Sequence, residues 1–247
     1  MTRFSRREAL GLIAAGGATT LIGGSPGLAK AVVGQVAAPS TAPSGPPHAL
    51  VPLPFNPSNL KGISEKLIVS HHQNNYGGAV KNLNAVRGQI AGLPKDAAAF
   101  LVGGLRGKEL AFANSATLHE AYFANLGGDG KAGGPVTQAL AASFGSAAAW
   151  EEAFKAVGTS LAGGSGWTIL DFSLTNGSLR IAWSGDHTQT LATSYPLLVM
   201  DMYEHAYQMD YGAAAGKYMD AFFQNVQWDE VNRRLERARK AYAALTA

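Results

Sequence analysis

The sequence has 247 residues, 47% hydrophobic and 15% charged, which is enough apolar side chain for a folded core and excludes a disordered or collagen-like chain. It contains no cysteine, which excludes disulfide scaffolds, thiolate metal sites, iron–sulfur clusters and a cysteine nucleophile. The formal net charge of +3 lies within residues 1–31, because the rest of the chain has sixteen basic and sixteen acidic residues. A body without net charge predicts no nucleic-acid partner.

The first 31 residues have the pattern of an export signal. A Ser-Arg-Arg-x-x-Leu motif begins at Ser5, a short apolar run covers residues 11–22, and Ala29 and Ala31 provide small residues for signal peptidase. The apolar run is too short for a transmembrane span. We predict export to the periplasm by the twin-arginine route, cleavage after Ala31 and no stable membrane insertion afterwards. An ordinary secretory signal is the alternative.

Two segments precede the predicted core. Residues 32–49 are rich in Ala, Pro, Ser and Gly, which predicts a flexible linker in which His48 has no functional role. Residues 50–57 have a proline at every second or third position, so they form an extended lead-in rather than a helix. The folded part of the chain is therefore expected to begin near residue 50.

The next segment predicts two helices. The first runs from Ser64 to about Val86, and the Gly77-Gly78 pair predicts a bend or a close helix contact in its middle. The second runs from about Lys108 to Asn125 and ends before a glycine-rich loop at residues 127–134. The two helices predict an antiparallel helical hairpin domain at residues 50–130.

Residues 131–247 predict an α+β domain. Helices are expected at residues 136–144, 146–161, 216–224 and 229–245, and strands at Trp167–Leu174, Leu179–Ser184 and Leu197–Tyr203. Asn176-Gly177 is a strong hairpin-turn signal between the first two strands. The predicted fold class is α+β, in which the helical hairpin is followed by a small antiparallel three-stranded sheet flanked by helices.

Four residues suggest a metal site. His71 and His119 lie one on each predicted N-terminal helix, while Asp201 and His205 lie four residues apart at the end of the last strand. Three imidazoles and one carboxylate suit Fe, Mn or Zn better than Ca or Mg. For any one of the histidines, a structural role as a hydrogen-bonded polar residue is the alternative.

Several motifs resemble those of a known family. They are Leu-Pro-Phe at 53–55, Ala-Ala-Ser-Phe-Gly at 141–145, Gly-Ser-Gly-Trp at 164–167 and Asp-Met-Tyr-Glu-His-Ala-Tyr at 201–207. The last is close to Asp-x-Trp-Glu-His-Ala-Tyr, the most specific signature of the iron/manganese superoxide dismutases. The chain from about residue 50 to its end resembles that family.

The resemblance implies one Fe or Mn ion per subunit, with solvent completing its coordination. The implied metal ligands are His71, His119, Asp201 and His205. It also implies that Trp167 walls the pocket and that Glu204 reaches the ligand histidine of a second subunit in a homodimer. A plain surface carboxylate is the alternative for Glu204.

Around the first ligand the sequence departs from the family pattern. Asn75 stands where the family has a histidine, and Ala79 stands where it has the tyrosine at the mouth of the substrate channel. Tyr76, about one helical turn before Ala79, is the candidate to bring a hydroxyl to that channel. A role in packing alone is the alternative.

The glutamine that contacts the metal's solvent ligand in the family is also absent. Ser115 occupies the position of the iron-type glutamine. His187 is predicted to take over from the manganese-type glutamine, which some family members replace with histidine, and Gln189 is the reserve candidate. Tyr203 replaces the tryptophan of the signature and keeps an aromatic pocket wall.

The sequence therefore predicts an exported, antioxidant Fe- or Mn-dependent superoxide dismutase that acts on the superoxide anion as a homodimer. A catalytically weak metal-binding member of the family is one alternative. A mononuclear Fe or Mn oxidoreductase that acts on another substrate is the other. The native metal, and the pairing of dimers into tetramers, stay open.

Overall fold

The computed structural model describes residues 46–247. The predicted export signal at 1–31, and all but the end of the predicted linker at 32–49, lie outside the described residues. The lead-in is neither helix nor strand up to a short 3-10 turn at Pro57–Asn59, as its prolines predict.

The N-terminal helices form the expected hairpin. Helix α1 (Glu65–Ser70), a π-helical turn (His71–Tyr76) and α2 (Gly77–Ala91) run on continuously, and α3 (Ala99–Ala124) packs against α2. The hydroxyl of Ser64 caps α1 by accepting a hydrogen bond from the Leu67 amide over 3.1 Å.

The bounds predicted for both helices were too narrow. The first helical run extends to Ala91 rather than Val86, and its irregularity is the π-helical turn that ends directly before the Gly77-Gly78 pair. Helix α3 begins at Ala99 rather than near Lys108. Its first half contains Gly103 and Gly104, which are poor helix formers, but contact with α2 outweighs that propensity.

The C-terminal part contains a three-stranded antiparallel sheet in the order β2-β1-β3. The strands are β1 (Trp167–Ser173), β2 (Leu179–Ser184) and β3 (Ser194–Asp201). Every residue of the central strand β1 is buried. Trp167, the first residue of β1, pairs with Asp201, the last residue of β3, so both side chains emerge at one end of the sheet.

Helices flank this sheet and confirm the predicted α+β class. They are α4 (Pro135–Phe144), α5 (Ala147–Leu161), α6 (Gln208–Tyr211), α7 (Ala215–Phe223) and α8 (Trp228–Thr246). Helix α5 packs on β1, and both α3 and α8 pack on β3. Within the described residues, no helix combines the length and apolar character needed to cross a membrane. The boundary predicted between domains near residue 130 stays a prediction.

A buried polar cluster joins α3, β3 and α8. Asn125, just beyond α3, accepts hydrogen bonds from the Val199 amide over 3.0 Å and from the Arg234 guanidinium over 3.1 Å, and donates to the Leu197 carbonyl over 3.2 Å. Arg234 also donates to the Glu230 carboxylate over 2.8 Å. The cluster therefore fixes α3 against β3, which carry two of the four candidate ligands.

Candidate metal centre

The four candidate ligands come from four separate pieces of the chain and meet in one place. His71 opens the π-helical turn, His119 lies near the end of α3, Asp201 ends β3, and His205 lies in a 3-10 turn at Glu204–Ala206. Their potential ligand atoms all lie within 4.8 Å of one another. His71, His119 and Asp201 are buried, whereas the side chain of His205 is 27% exposed.

The spacing of these atoms fits a metal ion. The Nε2 atoms of His71, His205 and His119 lie 3.1, 3.3 and 3.5 Å from Oδ2 of Asp201. Metal–nitrogen and metal–oxygen bonds of about 2.1 Å place neighbouring ligand atoms roughly 3.0–3.6 Å apart. One carboxylate oxygen and three imidazole nitrogens are therefore separated by the distances expected of ligand atoms around one ion.

The tautomer of His119 strengthens this interpretation. Its Nδ1 donates a hydrogen bond to the backbone carbonyl of Ser115 over 2.7 Å, so Nε2 carries a lone pair. That lone pair faces the carboxylate oxygen of Asp201, and two acceptors this close repel each other unless a cation lies between them. The Nε2 atoms of His119 and His205 are buried and have no hydrogen-bond partner among the described residues. The donor set therefore fits one Fe or Mn ion.

The protonation states suit metal binding at neutral pH. Burial and the neighbouring His71 lower the pKa of His119 to about 3, and burial also lowers the pKa of His71. Burial alone would raise the pKa of Asp201, but the imidazoles of His205 and His71 beside its carboxylate outweigh burial and hold that pKa below its usual value. His119 and Asp201 thus need not lose protons before they bind a metal.

Aromatic side chains enclose the cluster. The ring centroids of Tyr122 and Phe123 both lie 5.1 Å from that of His71, and the Trp167 ring lies edge-on to His119 at 5.0 Å. All three aromatic residues are buried. They keep bulk water away from the ligands and lower the local dielectric constant.

Comparison with known proteins agrees with this geometry. A sequence model described as iron/manganese superoxide dismutases, C-terminal domain, matches residues 132–234. A protein of Cupriavidus metallidurans named Superoxide dismutase (Fe) is 46% identical over 192 residues, which cover 77% of this chain and 98% of that protein. This chain belongs to the iron/manganese superoxide dismutase family.

More distant relatives carry both metals in their names. Superoxide dismutase (Fe) of Aquifex pyrophilus is 33% identical over 200 residues, covering 77% of this chain and 92% of the relative. Superoxide dismutase (Mn) 1 of Halobacterium salinarum is 30% identical over 200 residues, which cover 79% of this chain and 98% of the relative. Membership of this superoxide dismutase family therefore leaves the choice between Fe and Mn open.

His187 lies beside the candidate ligands. Its ring centroid is 6.2 Å from that of His119, and its Nδ1 accepts a hydrogen bond from Trp167 Nε1 over 3.0 Å. Burial lowers the pKa of His187, so its imidazole is neutral at neutral pH and carries its proton on Nε2. The reserve candidate Gln189 instead uses its amide oxygen to accept a hydrogen bond from the Gly185 amide within the same loop.

The other predicted site residues have different surroundings. The Tyr76 ring is buried, and its hydroxyl donates to Glu120 over 2.9 Å and accepts from the Val51 amide over 2.9 Å. The role of this hydroxyl at the channel stays a prediction. Glu204 is exposed on the single chain. Its contact with a second subunit also stays a prediction.

Sequence reasoning missed several residues that support the site. The Asn114 side chain donates to the backbone carbonyl of His187 over 2.7 Å, and the Ser115 carbonyl orients His119. Glu120 receives hydrogen bonds from Tyr76 and from His48, which the sequence left without a role. The sequence offers one indication of these supporting residues, which is the position of Glu120 next to the candidate ligand His119. The other contacts depend on tertiary structure.

Proposed function

We propose that this chain converts superoxide to dioxygen and hydrogen peroxide with one Fe or Mn ion held by His71, His119, Asp201 and His205. A bound Fe or Mn ion would supply the redox chemistry, in which one superoxide gives up an electron to become dioxygen and a second gains that electron and two protons to become hydrogen peroxide. The observation that carries the proposal is the convergence of three buried or partly buried imidazoles on one carboxylate oxygen, at distances of 3.1–3.5 Å.

The charge of the ligand set suits this reaction. Asp201 supplies one negative charge, and His119 is neutral because its pKa is about 3. A set with so little charge favours neither metal valence strongly, which a redox cycle requires. The buried rings of Tyr122, Phe123 and Trp167 surround the ligands with apolar surface.

His187 supplies a hydrogen-bond donor at this centre. Trp167 Nε1 can only donate, so Nδ1 of the neutral His187 must accept and Nε2 must carry the proton. Its ring lies 6.2 Å from His119, on the side of the pocket walled by Trp167. We therefore assign Nε2–H of His187 the task of orienting an oxygen of the substrate or of solvent beside the ligands. The hydrogen bond that the Gln189 side-chain oxygen accepts from the Gly185 amide holds Gln189 within its own loop.

We further propose that two copies of this chain pair across the surface that carries Glu204. Glu204 is exposed, and the neighbouring candidate ligand His205 is 27% exposed although the other three ligands are buried. A second copy would cover both side chains.

Export by the twin-arginine route is proposed from the Arg6-Arg7 motif. Signal-dependent appearance of the mature chain in the periplasm, lost in the variant with both arginines changed to lysine, tests the export proposal.

The experiment that tests the reaction is superoxide turnover by protein reconstituted separately with Fe and with Mn, with bound metal quantified in each sample. Fast turnover with at least one metal is expected. Full occupancy with negligible turnover for both metals would contradict the proposal. That result would leave a metal-binding role or a different substrate, and the altered positions Ala79 and Ser115 would be the first residues to exchange for the family's tyrosine and glutamine.

A further inference from the structure

We propose that Glu120 is a positioning residue of the metal centre. Its hydrogen bond to Tyr76 connects the two helical segments that carry His71 and His119, and so fixes the spacing of these two ligands. The inference rests on the proposed function only for the identity of the ligands. It assigns to Glu120, Tyr76 and His48 a role in ligand spacing that the sequence pattern does not indicate.

The tie is a hydrogen bond between the two ligand-bearing segments. Tyr76 ends the π-helical turn that His71 opens, and Glu120 directly follows His119 on α3. The Tyr76 hydroxyl donates to Oε1 of Glu120 over 2.9 Å. Because each partner lies so close in the chain to a ligand, the bond constrains the distance between the two imidazoles.

The ring of Tyr76 adds a second constraint. It lies stacked against the His119 ring, with 6.2 Å between the centroids and 25° between the planes. The ring is buried, so its movement would open a gap next to a ligand. The hydrogen bond to Glu120 prevents that movement, because it holds the far end of the same ring.

The last described residues of the linker and the start of the lead-in contact Glu120 and Tyr76 from the other side. His48 Nε2 donates to the same Oε1 of Glu120 over 2.6 Å, and the Val51 amide donates to the Tyr76 hydroxyl over 2.9 Å. His48 is itself fixed by Asn84 of α2, which accepts from its amide over 2.8 Å and donates to its carbonyl over 2.9 Å. Glu120 and Tyr76 thus each have two hydrogen-bond partners in the described part of the chain, which leaves them little freedom.

The hydrogen bond between Tyr76 and Glu120 matters because a metal site is sensitive to small shifts of its ligands. Productive geometry requires side chains held to within about 0.5 Å, and residues that orient ligands typically change metal affinity about 10–100-fold when they are replaced. His71 and His119 lie on different segments, so any change in helix spacing moves one ligand relative to the other.

The chain contains a matched control. Arg87 of α2 and Glu109 of α3 also join the two helices, with 3.3 Å between Nε and Oε1. Glu109 lies ten residues before His119, or about 15 Å along the helix. Removal of the Arg87–Glu109 pair weakens the hairpin without acting directly on the ligands, so it separates a loss of stability from a loss of positioning.

The test uses the full mature chain loaded with iron, as wild type and as the variants E120A, E120Q, Y76F and E109A. The ferric electron paramagnetic resonance spectrum, the reduction potential and the iron dissociation constant by chelator competition are measured. We expect E120A and Y76F to alter the spectrum and potential and to weaken iron binding about tenfold. E120Q retains an oxygen that accepts from Tyr76, so we expect it to resemble wild type, as E109A should.

The proposal is overturned if E120A and Y76F give the wild-type spectrum, potential and affinity, or if E109A changes them equally. Should E120A fail to fold, Y76F decides the matter, because it removes only one oxygen atom. Superoxide turnover of the wild type is recorded alongside. A wild type that binds iron but does not turn over contradicts the proposed function. An active wild type with unchanged Y76F spectra contradicts only this inference.

Discussion

Trp167 donates its Nε1–H to Nδ1 of His187 over 3.0 Å, and this hydrogen bond determines which nitrogen of His187 carries the proton. Trp167 begins the central strand, whereas His187 lies in the loop after β2, so the bond joins the sheet to a loop. The same indole lies edge-on to the candidate ligand His119. Trp167 therefore shapes the pocket in two ways, as a wall and as a donor that orients His187.

Replacement of Trp167 with Phe should keep most of the aromatic surface beside His119 but lose the N–H that donates a hydrogen bond to His187. We expect superoxide turnover to fall about tenfold while bound metal stays near one ion per chain, because His187 can then adopt the other tautomer. Turnover and metal content are measured on the same sample. Trp183, which is 52% exposed on β2, provides the control, and W183F should retain full turnover. Equal turnover of W167F and wild type would contradict the proposal that Trp167 orients His187.

The Asp201→Asn variant should bind Fe and Mn at least about 100-fold more weakly, because it removes the only negative charge among the candidate ligands. Bound metal raises the free energy of unfolding, by about 2.7 kcal/mol when free metal is at 100 times its dissociation constant. Chelation should therefore lower the melting temperature of the wild type but not of D201N. D220N, at an exposed position on α7, should respond to chelation like wild type. An unchanged wild-type melting temperature after complete metal removal would contradict the assignment.

The proposed pairing of two chains predicts that Glu204→Ala dissociates the dimer at protein concentrations where the wild type stays paired. Glu204 is exposed and adjoins His205, so a partner that covers both would lose a charged contact directly at the metal centre. Sedimentation velocity over a dilution series measures the effect. E152A, at an exposed position on α5, is the matched control. A wild type that is monomeric at all concentrations would refute the pairing.

Asn125→Ala should destabilise the fold by about 3 kcal/mol, because it leaves the Val199 amide without its buried acceptor and removes one of the acceptors of the charged Arg234. Urea denaturation of the metal-free protein isolates this effect from metal binding. The exposed Asn59 on the short 3-10 turn is the control, and N59A should change the free energy of unfolding by less than about 0.5 kcal/mol. Equal stabilities of the two variants would show that the Asn125 cluster does not hold α3 against β3.

Much of the site could be predicted because its signals are local in sequence. Asp201 and His205 lie in one short motif, and Asn176-Gly177 specifies the turn that pairs β1 with β2. The start of α3 could not be predicted, since contact with α2 overrides the glycines near Gly103. The bond between Asn114 and His187 joins residues 73 positions apart, and no local pattern indicates such a pair.

The central claim is that one metal ion at the cluster of His71, His119, Asp201 and His205 performs the dismutation of superoxide. The most direct test is an anaerobic titration of metal-free protein with Fe(II) or Mn(II), in which superoxide turnover is measured at each step. We predict that turnover rises linearly with added metal and stops rising at one ion per chain for at least one of the two metals. Turnover that stays negligible for both metals when one ion is bound, or full turnover without metal, would contradict it.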